Sequence, residues 1–294
     1  MPTRTIEFSD AAARLAVASE RPAPTIVRRT RGWRALGFRE AWAYRELLYF
    51  FVWRDVKVRY KQTALGVIWS VFQPVMIMLL FSLIFGHLAK LSTGGVPYPI
   101  FFYAAYMPWQ VFALGLTQAS TSLVGNQQLL TKVYFPRLLI PVGAVLAGMV
   151  DFLIGFVVLI AFYVFYYGVH PRVSLLALPG LIVLSALTAI AVGVWLSALN
   201  VRYRDVQYTL PFLTQFWFFA TPIAYSATLI PAEWRPLYAL NPMVGVVNGY
   251  RWAFFGAPAD APVTLAISAT VAAVLFVAGL AYFRRSERTF ADVV

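Results

Sequence analysis

The sequence contains no cysteine and only two histidines, His87 and His170. This excludes a disulfide scaffold, a cysteine-ligated zinc site and a thiol nucleophile, and leaves little for a histidine metal centre. Charge is scarce as well. Asp, Glu, Lys and Arg make up 12% of the 294 residues, about half of the roughly 25% found in average soluble proteins. Acids are the scarcer sign, 12 against 24 basic residues, for a formal net charge of +12. No Gly-Lys dipeptide occurs, so the chain has no G-x-x-x-x-G-K-S/T phosphate loop. What is abundant is apolar: 61% of residues are hydrophobic and the mean hydropathy is +0.71. A basic soluble nucleic-acid binder does not have that hydropathy, so the charge must serve another purpose.

Long intervals carry no charge. They run for 28 residues between Lys61 and Lys90, 41 between Lys90 and Lys132, and 29 between Arg172 and Arg202. A further 27 lie between Asp205 and Glu233 and 23 between Asp260 and Arg284, while Asp151 alone interrupts Arg137 to Arg172. About 20 residues at 1.5 Å each cross a hydrocarbon core of about 30 Å, so each interval holds a spanning helix. The expectation is an all-α membrane protein with six transmembrane helices at 65–86, 101–124, 139–167, 175–199, 208–224 and 262–283. Turn residues from Thr93 to Pro99 leave room for a single helix in the longest interval.

With six spans, 20 of the 24 basic residues fall on one side. The positive-inside rule places that side, and both termini, in the cytoplasm. Residues 1–38 have no apolar core of a cleavable signal, so the first span is expected to direct insertion, and the segment is expected to be poorly ordered. Residues 39–62 differ. Trp42, Tyr49, Trp53, Val56 and Tyr60 recur at helical spacing with Arg54, Lys57 and Lys61 on another side. This pattern predicts an amphipathic helix lying in the cytoplasmic membrane interface, or one packed on a partner protein. The permease domain is set at 63–285, with a cytoplasmic tail over 286–294. Within it, the external segment 225–261 mixes Pro231, Pro236, Pro242 and Pro258 with Trp234, Trp252, Phe254 and Phe255. It is too broken for one helix and too apolar for a plain loop. Short re-entrant helices on the translocation route are expected there, including Asn241, Pro242, Asn248 and Arg251.

Several motifs carry a resemblance. Arg54-Asp55-Val56-Lys57-Val58-Arg59-Tyr60-Lys61 leads into Gly66, Trp69 and Pro74; Met107-Pro108-Trp109-Gln110 lies in the second span; and Lys132-Val133-Tyr134-Phe135-Pro136-Arg137 forms the next turn. Asn200-Val201-Arg202-Tyr203-Arg204-Asp205 and Leu240-Asn241-Pro242 follow in order. Over residues 40–285 this resembles the type-2 ABC-exporter permeases that export polysaccharides such as O antigens, capsules and teichoic acids. The resemblance implies a homodimer in the inner (cytoplasmic) membrane. It also implies two copies of a separate ATPase subunit that binds ATP and Mg, with no cofactor and no covalent chemistry in this chain. It makes lipid-linked polysaccharide, most directly O antigen, the expected substrate, with capsule, teichoic acid or a small hydrophobic molecule as alternatives. No nucleic-acid partner is expected; membrane lipids are.

In such families the ATPase couples through the interfacial helix and the turn between spans two and three. The corresponding residues here are Arg54, Arg59, Lys132, Tyr134, Phe135, Pro136 and Arg137. Aromatic and arginine anchors suit a partner's groove, although Tyr134 and Phe135 also fit an ordinary membrane belt. Aromatic rings could stack on sugar faces in the passage. Tyr103, Tyr106 and Trp109 recur every three residues, and Phe212, Phe216 and Phe219 form a stripe in span five. Helix packing explains both stripes equally. Asp151 is the one carboxylate expected in mid-span, facing the bundle interior or water. It is read either as a gate or as a structural hydrogen-bond partner. A membrane-embedded glycosyltransferase would need clustered acids, and a proton-driven carrier several buried ionisable groups; the sequence shows neither.

Overall fold

A computed structural model describes residues 42–61, 66–132, 135–168, 172–258, 260–287 and 290. The expectations for residues 1–38 and for Tyr134 fall outside them. The described chain is all-helical. Helix α1 spans Arg45–Lys61, α2 Gly66–Phe81 with a π-helical continuation Ser82–Leu88, α3 Tyr98–Gly125, α4 Gln127–Lys132 and α5 Leu139–Tyr167. Then follow a 3₁₀ turn Val173–Ala177, α6 Leu178–Arg202, α7 Val206–Phe219, a single turn α8 Arg235–Tyr238, α9 Pro242–Phe255 and α10 Ala261–Ser286.

Five of these segments are long and apolar enough to cross a membrane: Gly66–Leu88, Tyr98–Gly125, Leu139–Tyr167, Val173–Arg202 and Ala261–Ser286. The expected span at 208–224 differs. Its helix α7 has 14 residues, about 21 Å at 1.5 Å per residue, short of a core of about 30 Å. The helix closes at Phe219, with the Ala220 N–H bonded to the Phe216 carbonyl. The chain turns instead, with Thr221 Oγ1 donating to the Trp217 carbonyl at 2.9 Å.

Helix α3 is the hub. Its buried residues run from Tyr98 to Leu123 and meet α5, α6, α7 and α9. Small residues let the helices approach. A Cβ on Gly193 of α6 would lie 2.8 Å from Ala119 of α3, and one on Gly155 of α5 2.8 Å from Met107. With lipid outside, such close packing, rather than burial from water, drives helix association.

Helix α1 packs against α5. Phe51 sits against Gly143 of α5, where an added Cβ would be 3.2 Å from its own Cβ. Eight residues on, Arg59 reaches Asp151, eight residues beyond Gly143. Equal advance on both helices means that α1 runs lengthwise beside α5 over about 12 Å. Phe51 also packs on Phe135, with ring centroids 5.6 Å apart. Tyr49, Phe50 and Trp53 remain exposed on the far side, an aromatic face suited to the headgroup layer.

Candidate functional site

A set of polar side chains converges on one groove of about 660 Å³ between α2, α3 and α7. From α2 come Trp69, Ser70 and Gln73; from α3 Tyr106, Trp109, Gln110, Thr117 and Gln118; from α7 Thr214. Gln110, Thr117 and Gln118 share a face because seven and eight residues close two helical turns. At one end α1 and α5 contribute Arg59 and Asp151. Uncharged amides and hydroxyls in otherwise apolar spans must face protein or water, and here they face the same space.

Asp151 lies 12 residues into α5, about 18 Å from its start at 1.5 Å per residue. Both Asp151 and Gly66, the first residue of α2, line the groove. Asp151 pairs with Arg59 and accepts a hydrogen bond from the Tyr60 hydroxyl. Burial, then the hydrogen bond to Asp151, push the Tyr60 hydroxyl up to about 12. A carboxylate with a cation and a phenol within reach needs no lipid exposure.

The aromatic candidates divide. Tyr106 and Trp109 line the groove. Tyr103 is fully buried instead, edge-on to Phe162 and donating to the Gly155 carbonyl at 3.4 Å. Its place on α3 turns it towards α5, away from the groove. Phe212, Phe216 and Phe219 are 77%, 64% and 50% exposed along the outer face of α7. Phe216 borders a second cavity of about 530 Å³ with Trp217, Tyr238, Asn241 and Pro242. Phe218, between them, packs against Trp109 and Phe81.

The coupling candidates form a joint. Arg54 Nη1 donates to Asn126 Oδ1 at 3.0 Å, linking α1 to the turn before α4. Phe135 and Pro136 are buried, Phe135 beneath Phe51. Lys132 is exposed, whereas the Phe135 ring is not. Arg137 turns the other way. Its backbone N–H and Nη1 donate to the Glu287 carboxylate and carbonyl, and its guanidinium lies 6.0 Å from the Phe290 ring. The expected tail is thus packed at this point, with Phe290 edge-on to Phe283.

At the opposite end, α9 is buried throughout except at Trp252 and Phe255. Asn241 caps it, its Oδ1 accepting from Met243 N at 3.0 Å and from Trp217 Nε1 at 2.9 Å. Its Nδ2 donates to the Ala220 carbonyl and to Thr221 Oγ1, so one amide ties α9 to the end of α7. Arg251 is buried, and among the described residues no carboxylate pairs with it. Its Nη1 donates to the carbonyls of Pro222 and Tyr225 at 2.6 and 3.1 Å, and its Nη2 to that of Ile223 at 2.7 Å. Asn248 is also buried and does not line the groove. Of the expected re-entrant residues, Asn241 and Pro242 border the second cavity.

Gln73, Gln110 and Gln118 were not singled out from the sequence as site residues. Their signal was an amide at intervals in apolar spans, which a search for charge passes over.

The pattern described as ABC-2 type transporter matches residues 46–255, well over half of the chain. An O-antigen export system permease protein RfbA of Myxococcus xanthus is 28% identical over 87% of this chain and 98% of its own length. One from Klebsiella pneumoniae is 28% identical over 85% and 95%. The polysialic acid transport protein KpsM of Escherichia coli is 23% identical over 80% and 91%. The matched stretch takes in α1, the groove and α9, and the chain is a multi-pass membrane protein of the ABC-2 type transporter family.

Proposed function

We propose that the chain is the transmembrane subunit of an ATP-driven exporter that moves lipid-linked polysaccharide, O antigen in the first instance, outward across the inner membrane. The groove carries this reading. Amides and hydroxyls from Gln73, Gln110, Gln118 and Thr214 match sugar hydroxyls, while Trp69, Trp109 and Tyr106 match the C–H faces. The resemblance to O-antigen permeases points to the same class of substrate. The polysialic acid relative favours an acidic glycan as the second reading. Against it, Arg59 and Asp151, the only ionised residues lining the groove among the described ones, are paired with each other. The wall thus presents no net charge to a polyanion.

The groove is open along one side, between apolar faces of α2 and α7 that expose Trp69, Phe72, Phe212 and Phe216. In this reading a second copy covers those faces and supplies the other half of the passage. A separate ATPase subunit, in two copies, binds ATP and Mg and pushes on the joint made by α1, Asn126 and Lys132. Helix α7 and the turn after it make the sixth crossing, because α7 starts directly after α6 while Ala224 accepts a hydrogen bond from Tyr98 at the far end of α3. Six crossings keep both termini cytoplasmic, in line with the basic residues.

The test is export by groove variants. Gln110→Leu and Gln118→Leu are expected to cut glycan export several-fold with the protein still assembled, and Tyr103→Phe to leave it unchanged. Normal export by the double glutamine variant would sink the reading. Because the chain has no cysteine, a single Phe212→Cys gives a clean test of the dimer: disulfide-linked pairs are expected in membranes, and only monomer would overturn that arrangement.

A further inference from the structure

Helices α1, α5, α6 and α10 line a cavity of about 240 Å³ that shares no residue with the polar groove. Its walls are hydrocarbon, with Leu48, Val142, Ile190, Val194, Phe276 and Leu280 among them. Only Trp42 and Arg45, exposed at the start of α1, break that pattern. Among the described residues Arg45 makes no hydrogen bond or ion pair, although Glu46 is its neighbour in the chain.

We propose that this cavity holds an acyl chain of an anionic phospholipid whose phosphate pairs with Arg45. The wall along α6 runs from Leu187 to Val194, about 10 Å at 1.5 Å per residue, within the roughly 15 Å depth of one leaflet. The order of groups matches a lipid end to end: hydrocarbon within, then an indole, then a guanidinium at the rim. An apolar space of this kind does not hold water, which needs polar partners. Charge separates the occupants. The chain just before Trp42 carries Arg28, Arg29, Arg31, Arg34 and Arg39 against the single acid Glu40, which would set a net like charge against Arg45. An anion complements it. The lipid would wedge α1 against α5 and α6, a contact that the export reading neither requires nor supplies.

The experiment uses the purified full chain, delipidated and titrated with phosphatidylglycerol or phosphatidylethanolamine under native mass spectrometry. Wild type is expected to prefer phosphatidylglycerol at least fivefold. Arg45→Ala should bring the two lipids to parity, and Val142→Phe, which fills the cavity, should weaken both at least tenfold. In a second measurement, brominated phosphatidylglycerol is expected to quench wild-type fluorescence more than that of Trp42→Phe. This holds even if the cavity-filling variant fails to fold. Equal affinity of wild type for the two lipids, undiminished binding by a folded Val142→Phe, or equal quenching with and without Trp42 would overturn the proposal. Absence of any bound lipid would do the same, and would assign the cavity to the chain's own amino-terminal segment or to a second copy. Export by groove variants is read separately, so either idea can fail alone.

Discussion

The guanidinium carbon of Arg251 stands 3.6 Å from the centre of the Phe101 ring, joining α9 to α3. Around it, the carbonyls of Pro222, Ile223 and Tyr225 have left helical geometry and need donors. One planar cation supplies them all and lays its face on the ring. Lysine keeps the charge but brings a compact ammonium that cannot reach the carbonyls and the ring together. Arg251→Lys is expected to cost about 2–4 kcal/mol through unsatisfied carbonyls, seen as earlier thermal unfolding in detergent. An unchanged Tm would show that the turn does not depend on the fork.

Arg59 and Asp151 bridge α1 and α5 with side chains 29% and 12% exposed. Their pairing is therefore shielded but still in contact with the groove. Asp151→Asn is expected to lose about 1–3 kcal/mol, the worth of hydrogen bonds to a charged group. Glycan export should fall with it. The reversed pair, Arg59→Asp with Asp151→Arg, should regain part of both. If the reversed pair behaves no better than the sum of its parts, the two residues are not coupled.

Two glycines make a controlled comparison. A Cβ on Gly245 of α9 would lie 2.5 Å from Ser268 Cβ and 2.7 Å from the Thr264 carbonyl of α10, whereas one on Gly180 of α6 meets nothing within 4 Å. Gly245→Ala is expected to cost about 1–3 kcal/mol by overpacking, and Gly180→Ala to be neutral or slightly stabilising. Thermal unfolding of both variants reads this directly. Equal effects would contradict the close approach of α9 and α10.

Tyr60 offers a pH signature. Its hydroxyl is raised from 10.0 to about 12, first by burial and then by Asp151. The folded chain holds this proton more tightly than the unfolded one. Its contribution is therefore complete below pH 10 and is lost as pH rises towards 12. Unfolding midpoints measured from pH 9 to 12 should fall, and Tyr60→Phe should flatten that fall. A Tyr60→Phe profile parallel to wild type would place the titration elsewhere.

The long spans were legible because charge is expelled from hydrocarbon, a signal that each stretch carries by itself. The third was expected at 139–167 and its helix is Leu139–Tyr167. The fifth was expected at 208–224 because hydropathy continues through Ala220–Ala224, and its helix closes at Phe219. What escaped was non-local. Arg59 and Asp151 are 92 residues apart, and nothing in either neighbourhood announces the other. Phe135, flanked by cations, reads like an anchor for a partner, yet the fold buries it beneath Phe51. The groove glutamines carry no charge and so left no mark on a count of charges. The aromatic stripes were visible as stripes, but a helix face is assigned to lipid, core or cavity only by its neighbours. That is how Tyr103 and Tyr106, three residues apart, come to face different surroundings.

Helix α1 is held at two stations, Phe51 on Gly143 and Arg59 on Asp151, and is tethered to Asn126 by Arg54 between them. A rod pinned twice along its length cannot roll without giving up one of the pins. It can only slide or tilt as a stiff piece, with backbone hydrogen bonds carrying the load from end to end. Any displacement delivered at Asn126 would therefore be carried to Lys61, the end of α1, as a push along the helix rather than a twist. Loosening either pin should blunt that stroke without touching the groove walls of α2, α3 and α7.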